Sequence, residues 1–425
     1  MPLSARAGAD AAAVLACRVA GAAANVAAVL ILSRALPAAE VGIVLTALAC
    51  ALLGELAVGL GREGVAIQVL PQASPRVARA YLRALVRLAR RTAPLAALGA
   101  GFACWLLTRE GGWAPAVLTA ALVPLGAFVR IASRTTHAAG RIAPSAALFT
   151  LARPALLAAS LAGLWVTGAL SIEMALAAAA LAAGLAAGAQ GVLSRRAFPA
   201  SAAPPGVADL IDPAWARSGR SLLLTSLLLG DLAGLVTVAA AVRLPDAEVA
   251  VLGVALRFAA LLTLGSGALI AALGPGVSAA WGRGDRADAL RLARAVPRVA
   301  VPVVSAGVVT LWLGADAFLS LFGEAYRAGA DALRLLVLVP LLTACAGPSL
   351  LVLTASGRAD RAAGAALAAA LTVGAGVLIG ASWGVAPAAG GVVLGHALWE
   401  VTLVRRLWAA EGVSLWLPFG PRRAA

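Results

Sequence analysis

Apolar residues run along this chain in blocks about twenty residues long, with polar residues gathered in short stretches between them. A helix rises ~1.5 Å per residue, so roughly 20 apolar residues cross a hydrocarbon layer about 30 Å thick. On that scale the pattern predicts about twelve transmembrane helices, near 11–32, 41–60, 93–108, 115–132, 144–167, 172–193, 221–242, 249–273, 299–315, 332–355, 362–382 and 385–404. The fold class expected is therefore an all-α polytopic membrane protein. The first block contains Arg18 and Asn25 and is too long and too polar for a cleavable signal; it reads as the first span.

Two segments carry a different period. Arg76, Arg79, Arg83, Arg87 and Arg90 recur every three or four residues, opposite Val77, Tyr81, Leu85 and Leu88. Arg283, Arg286, Arg291, Arg294 and Arg298 surround Leu290, Leu292 and Val296 in the same way. Each segment precedes the third span of its half. Basic amphipathic helices lie in the membrane interface, so anionic membrane lipids are expected partners.

Composition agrees with a membrane protein. The chain is 62% hydrophobic and 12% charged, where a soluble domain is roughly 45–50% apolar and about 25% charged. The net charge is +15, and all 34 basic residues are arginine. In a soluble protein that surplus would suggest nucleic acid. Here 26 arginines fall in one alternating set of loops and 5, Arg34, Arg109, Arg243, Arg327 and Arg334, in the other. Arg18, Arg153 and Arg257 lie inside spans. Positive loops stay inside, which places both termini in the cytoplasm and removes nucleic acid as a partner. Cys17, Cys50, Cys104 and Cys345 all fall within spans, and no Cys or His spacing suggests a metal or cofactor. The outside loops are too short to build a large catalytic site, so no enzyme is expected.

The chain is internally repeated. Leu36-Pro37-Ala38-Ala39-Glu40-Val41 recurs as Leu244-Pro245-Asp246-Ala247-Glu248-Val249, with five of six positions identical at an offset of 208. Ala139-Gly140-Arg141 corresponds to Ser356-Gly357-Arg358 after the fourth span of each half. Six spans per half is an even number, so the repeats are parallel, a plan in which the substrate site lies at the interface of the halves. The domains expected are an N-terminal six-helix bundle (1–193), a Pro/Ala/Ser-rich cytoplasmic linker (194–220), a C-terminal six-helix bundle (221–404) and a cytoplasmic tail (405–425). The chain is expected to be a monomer.

Several stretches together resemble a family. Arg34-Ala35-Leu36-Pro37-Ala38-Ala39-Glu40-Val41-Gly42 resembles an R-x-L-G-P-E-E-[FY]-G region. Ala272-Leu273-Gly274-Pro275-Gly276 with Ala280-Trp281-Gly282-Arg283-Gly284-Asp285, then Leu321-Phe322-Gly323-Glu324-Ala325-Tyr326, then Leu353-Thr354-Ala355-Ser356-Gly357-Arg358 follow in order. These are similar to the Wzx-like polysaccharide and lipid-linked oligosaccharide flippases of the MOP superfamily, which also holds the MATE multidrug/cation exporters and the lipid II flippases. The resemblance implies an alternating-access flippase for polysaccharide biosynthesis. Its cargo would be an undecaprenyl-diphosphate-linked sugar or oligosaccharide, moved from the cytoplasmic to the periplasmic leaflet. A polyprenyl-diphosphate-linked glycan and polysaccharide polymerase or export proteins would then be its partners. Pro37-Ala38 departs from the usual Gly-Pro.

Charges inside spans are functional-site hypotheses, because they are costly there. Arg18 and Arg257 lie roughly 12 Å deep at about 1.5 Å per residue. A guanidinium fork matches a diphosphate, so these two, with Asn25, are the candidate diphosphate-binding residues of the lumen. The alternative is structural pairing of Arg18 and Arg257 with Glu55 and Asp231. Glu55 and Asp231 are candidate proton carriers or counter-charges. His396 is a candidate coupling residue because imidazole changes charge near neutrality; a structural hydrogen bond is the alternative. Arg153, beside Pro154, and Glu400, near Arg405, are read as interface-anchored. Gly21, Gly230 and Gly234 serve either hinges or close packing, and Pro297, Pro302, Pro340 and Pro348 are expected to kink spans 9 and 10. A MATE-type exporter wants acidic residues deep in the first span, and this span offers Arg18 instead.

Overall fold

A computed structural model describes residues 5–70, 75–108, 111–197, 213–229, 231–356 and 358–416. Arg109, Gly230, Gly357, the linker centre 198–212 and the tail from 417, with Arg422 and Arg423, lie outside the described residues. The described chain is helical throughout, and ten of its helices are long and apolar enough to cross a membrane. Its contacts divide it into two compact units, 1–226 with 245–250, and 227–244 with 251–425.

The first unit contains α1 (Ala5–Ala35), α2 (Ala38–Gly59), α3 (Arg62–Val69), α4 (Pro75–Leu107), α5 (Ala114–Ala138), α6 (Ile142–Ala146), α7 (Arg153–Val166), α8 (Ile172–Ala197) and α9 (Pro213–Leu229) up to residue 226. α2 is buried along most of its length against α4 and α5, while α1 packs on α7. The first basic amphipathic segment and the third span form one continuous helix, α4. Tyr81 and Leu85 of its buried face join Val65, Ala66 and Leu70 of the α3 segment in a small core, with Arg83, Arg87 and Arg90 exposed. Further along, Leu95, Leu98, Phe102 and Trp105 are exposed in the apolar half. Apolar side chains turned outward over a helical turn or more are what a lipid-facing surface requires.

The second unit contains α10 (Leu232–Ala241), the end of α11 (Asp246–Leu261), α12 (Thr263–Gly282), α13 (Arg286–Leu313), α14 (Ala315–Ser320), α15 (Ala330–Leu336), α16 (Leu338–Ala346), α17 (Ser349–Ala355), α18 (Ala359–Gly380) and α19 (Val385–Glu411). α13 again unites a basic segment with a span; Asp285 caps it by accepting from the Asp288 N–H at 3.0 Å. α18 and α19 form a tight hairpin. A Cβ added at Gly391 would lie 2.2 Å from the backbone of Gly376, so only glycine allows this approach.

Several predicted spans are not single helices: 144–167 falls on α6, a π-helical turn at Ala147–Ala152 and α7, and 249–273 on α11 and α12. The span at 221–242 falls on α9 and α10, with Asp231 at the N-cap position of α10. The span at 332–355 is divided into α15, α16 and α17. Gly347, at φ +62°, stands before Pro348 and ends α16.

The repeated motif has a local structural basis. Pro37 is the N-cap of α2, and Pro245 precedes α11. Leu36, Val41, Leu244 and Val249 are all buried. A Cβ on Gly42 would lie 1.8 Å from the Asp246 carbonyl oxygen, so the start of α2 rests directly on the second copy of the motif.

Candidate functional site

The most deeply buried charge in the first unit is an ion pair. Glu55 of α2 is 2% exposed, and Arg153 at the start of α7 reaches it with a fork. Nη2 donates to Oε1 at 2.7 Å and Nη1 to Oε2 at 3.1 Å. α5 makes the space: a Cβ on Gly126 would lie 1.8 Å from Oε1 of Glu55, so the carboxylate fills a notch that any other residue would close. The fork saturates both carboxylate oxygens, which is what a buried charge pair needs to be tolerated. Arg153, expected to snorkel, turns inward to this pair instead.

The backbone before Arg153 is arranged to present it. Residues Ala147–Ala152 form a π-helical turn between α6 and α7. Pro154 has no N–H to donate to the carbonyl of Thr150, four residues earlier. That carbonyl meets Gly21 of α1, where a Cβ would lie 1.7 Å from the oxygen. π turns of this kind recur at functional sites.

Arg18, one turn before Gly21, is half-buried and makes no ion pair with a described residue. Arg134 and Arg18 are the charged neighbours of His137. Asn25 is exposed. A cavity of about 240 Å³ in the same unit is lined by Glu63, Arg130, Arg134, Leu222 and Ser226 among others. Beside it the Tyr81 hydroxyl donates to the Arg62 carbonyl. Burial first, then the Glu63 carboxylate, pushes this phenol above its ordinary range, against a smaller opposing effect of Arg62.

In the second unit, Arg257 lies on α11 with Nη1 donating to the Gly253 carbonyl at 2.7 Å; no described carboxylate pairs with it. Asp231 is 5% exposed at the α10 N-cap, and its side chain does not cap the helix. His396 of α19 is buried, with Nε2 2.8 Å from Thr343 Oγ1 and 3.3 Å from Glu400 Oε1. Glu400, read from the sequence as an interface anchor, is therefore a buried partner of His396. Near the end of α19, Glu411 receives Arg286 and Arg358, the latter at 3.0 Å. Among the described residues no cluster of His, Cys, Asp or Glu has the arrangement of a metal site.

The structure thus brings together Glu55 with Arg153, and His396 with Glu400. It leaves Arg18 and Arg257 without an acidic partner among the described residues. Sequence reasoning missed the partnership of Arg153 and Glu55 because 98 positions separate them. The His396–Glu400 pair was visible as an i, i+4 spacing on one helix face.

No family model matches this chain, and no curated protein matches its sequence. Solved structures match over nearly its full length. It is similar to a multidrug resistance MATE family transporter of the MOP superfamily in the inward-facing conformation: TM-score 0.68, 16% identity, covering 93% of this chain and 96% of that one. It is similar to the MATE multidrug transporter DinF-BH in complex with R6G: TM-score 0.62, 16% identity, 95% and 96% covered. A MOP superfamily transporter from Pyrococcus furiosus, described by a reverse polarity of its binding pocket suggesting a different function, matches with TM-score 0.60, 17% identity, and 94% and 95% covered.

The protein therefore has the fold of the MATE and MOP transporters, and it is a multi-pass membrane protein. The resemblance to Wzx-like flippases is corrected by these matches, which are multidrug MATE and MOP transporters. With it go the flippase function, the polysaccharide-biosynthesis role, the polyprenyl-diphosphate-linked glycan and the polymerase partners. The physical reason lies in where the quoted motifs fall. Leu36 to Gly42 starts α2, Gly284 (φ +78°) and Asp285 cap α13, and Gly323 (φ +130°) forms a turn between buried Phe322 and Tyr326. Such motifs specify caps and turns of the fold and carry no substrate chemistry.

Proposed function

We propose that this protein is an alternating-access exporter of the MATE type, moving small amphipathic organic molecules, cationic dyes among them, out of the cell across the bacterial cytoplasmic membrane. The observation that carries this reading is the whole-chain likeness to an inward-facing multidrug transporter, TM-score 0.68. The arginine distribution supports both termini on the cytoplasmic side. The halves 1–193 and 221–404, joined through 194–220 and followed by the tail 405–425, are the bodies that alternate. Glu55, Asp231 and His396 are the coupling or counter-charge residues in this reading.

One observation favours a second substrate class on the same fold. Arg18 and Arg257 have no described acidic partner, and with Asn25 they suit an anionic group on the cargo.

Reconstituting the full-length protein in proteoliposomes tests both readings. A proton gradient, acidic on the side that receives export, is expected to drive accumulation of R6G. Accumulation of an anionic dye in place of R6G selects the second class. Liposomes that take up neither dye faster than protein-free ones reject the exporter reading.

A further inference from the structure

His396 and Glu400 lie one turn apart, near the middle of α19, and each is 3% exposed. Glu400 Oε1 is 3.3 Å from His396 Nε2, and Thr343 Oγ1 of α16 is 2.8 Å from the same nitrogen. His396 Nδ1 is buried with no hydrogen-bond partner, and so is the indole N–H of fully buried Trp399 between the two residues. One acid and one base are thus enclosed together by buried side chains.

Among the described residues, the acids of the packed elements already have partners of their own. α19 packs against α15, α16, α17, α18 and the short turn Ala381–Trp383. α17, that turn and residues 362–380 of α18 contain no titratable side chain. α16 contributes only the Cys345 thiol. α15 contributes Asp331 and Arg334, which pair with each other at 2.7 Å, Arg334 also holding Asp316. On α19 itself Arg405 is exposed, Arg406 is half-buried with its guanidinium against Gly364 of α18, and Glu411, two turns or more away, is held by Arg286 and Arg358.

We propose that His396 and Glu400, with Thr343, form a buried proton-binding site that holds one exchangeable proton. The charge count gives the reason. With that proton the pair is net neutral, either as imidazolium and carboxylate or as imidazole and carboxylic acid. Without it an isolated carboxylate remains, and with a second proton an isolated imidazolium remains. Both are costly away from water. The pair releases its proton when a conformational change opens the pocket to water, and it takes one up again from the other side. The Thr343 hydroxyl links this step to α16. Proton binding stands on the pair's own geometry; its use to drive transport rests on the exporter reading above.

The test uses two readouts on the purified full-length protein. In pH-difference infrared spectra, the wild type is expected to show a titrating band of the pair, a carboxylic-acid stretch or an imidazolium ring mode, that both Glu400→Gln and His396→Gln remove or shift. In proteoliposomes, both variants are expected to lose accumulation of R6G against its gradient, the inside-to-outside ratio falling to that of protein-free vesicles. An unchanged band in Glu400→Gln, or uphill accumulation equal to wild type, overturns the proposal. If the wild type moves no R6G at all, the exporter reading fails while the infrared band still decides the proton site. Should Glu400→Gln not fold, Thr343→Val keeps both titrating groups and removes only the hydroxyl. A shifted pH dependence of the band supports the proposal, and an unshifted one overturns it.

Discussion

Arg153 crosses from α7 to α2 and closes a two-point fork on Glu55, burying a charge pair that the chain assembles from positions 98 residues apart. Removing one member of a buried pair strands the other, which costs about 3–5 kcal/mol, whereas replacing both by apolar residues is often neutral. Arg153→Met and Glu55→Leu are each expected to lower the unfolding temperature of the purified protein substantially. Arg153→Met with Glu55→Leu is expected to recover most of that loss. Thermal unfolding of the four proteins in a double-mutant cycle measures the coupling, and additive effects would contradict the fork.

The Gly126 notch makes a sharper prediction. Alanine there places a methyl where Oε1 of Glu55 now lies. Overpacking of this kind costs about 1–3 kcal/mol. Combined with Glu55→Ala, which empties the notch, Gly126→Ala should cost far less than it does in the wild type. Equal cost in both backgrounds, read from unfolding temperatures, would place the carboxylate elsewhere.

Gly21 and Pro154 should be coupled through the carbonyl of Thr150. Pro154→Ala returns an N–H to the helix and gives that carbonyl an α-helical partner, favouring a regular turn in place of the π turn at Ala147–Ala152. Gly21→Ala drives a methyl into the same oxygen. The Gly21→Ala penalty is therefore expected to shrink in the Pro154→Ala background. Hydrogen exchange of residues 147–154 reports whether the turn has regularised.

Arg18 and Arg257 can be judged by cargo charge. If they contact the cargo, Arg18→Met or Arg257→Met should improve transport of a cationic dye and weaken that of an anionic one. A buried or half-buried cation repels the first and attracts the second. Initial uptake rates for the two dyes in the same proteoliposomes give the ratio. A ratio unchanged from wild type in both variants would remove these arginines from the cargo path.

Much of the architecture was already legible in the residue pattern. The apolar blocks give the spans because a hydrocarbon layer sets a fixed length and forbids unpaired backbone. The Leu-Pro-x-Ala-Glu-Val repeat marked the starts of α2 and α11 because a proline before a helix is a local signal. The breaks at Asp231 and Gly347–Pro348 are also local, but the pattern gives Asp231 as a charge inside a span and Pro348 as a kink, not as helix ends. Motif resemblance misled on cargo for a related reason: its residues are caps and turns, which a whole superfamily needs whatever it carries.

The sequence by itself determined that this is a polytopic helical membrane protein with a strong arginine asymmetry and a motif that occurs twice, since length, hydropathy and charge are properties read one segment at a time. Only the tertiary structure decided which intramembrane charges meet. Arg153, not Arg18, holds Glu55 from 98 positions away, and Thr343 of α16 reaches His396 of α19. Such partnerships depend on helix rotation and on notches as small as the missing methyl of Gly126. Those are set by packing across the bundle, and no local pattern encodes them.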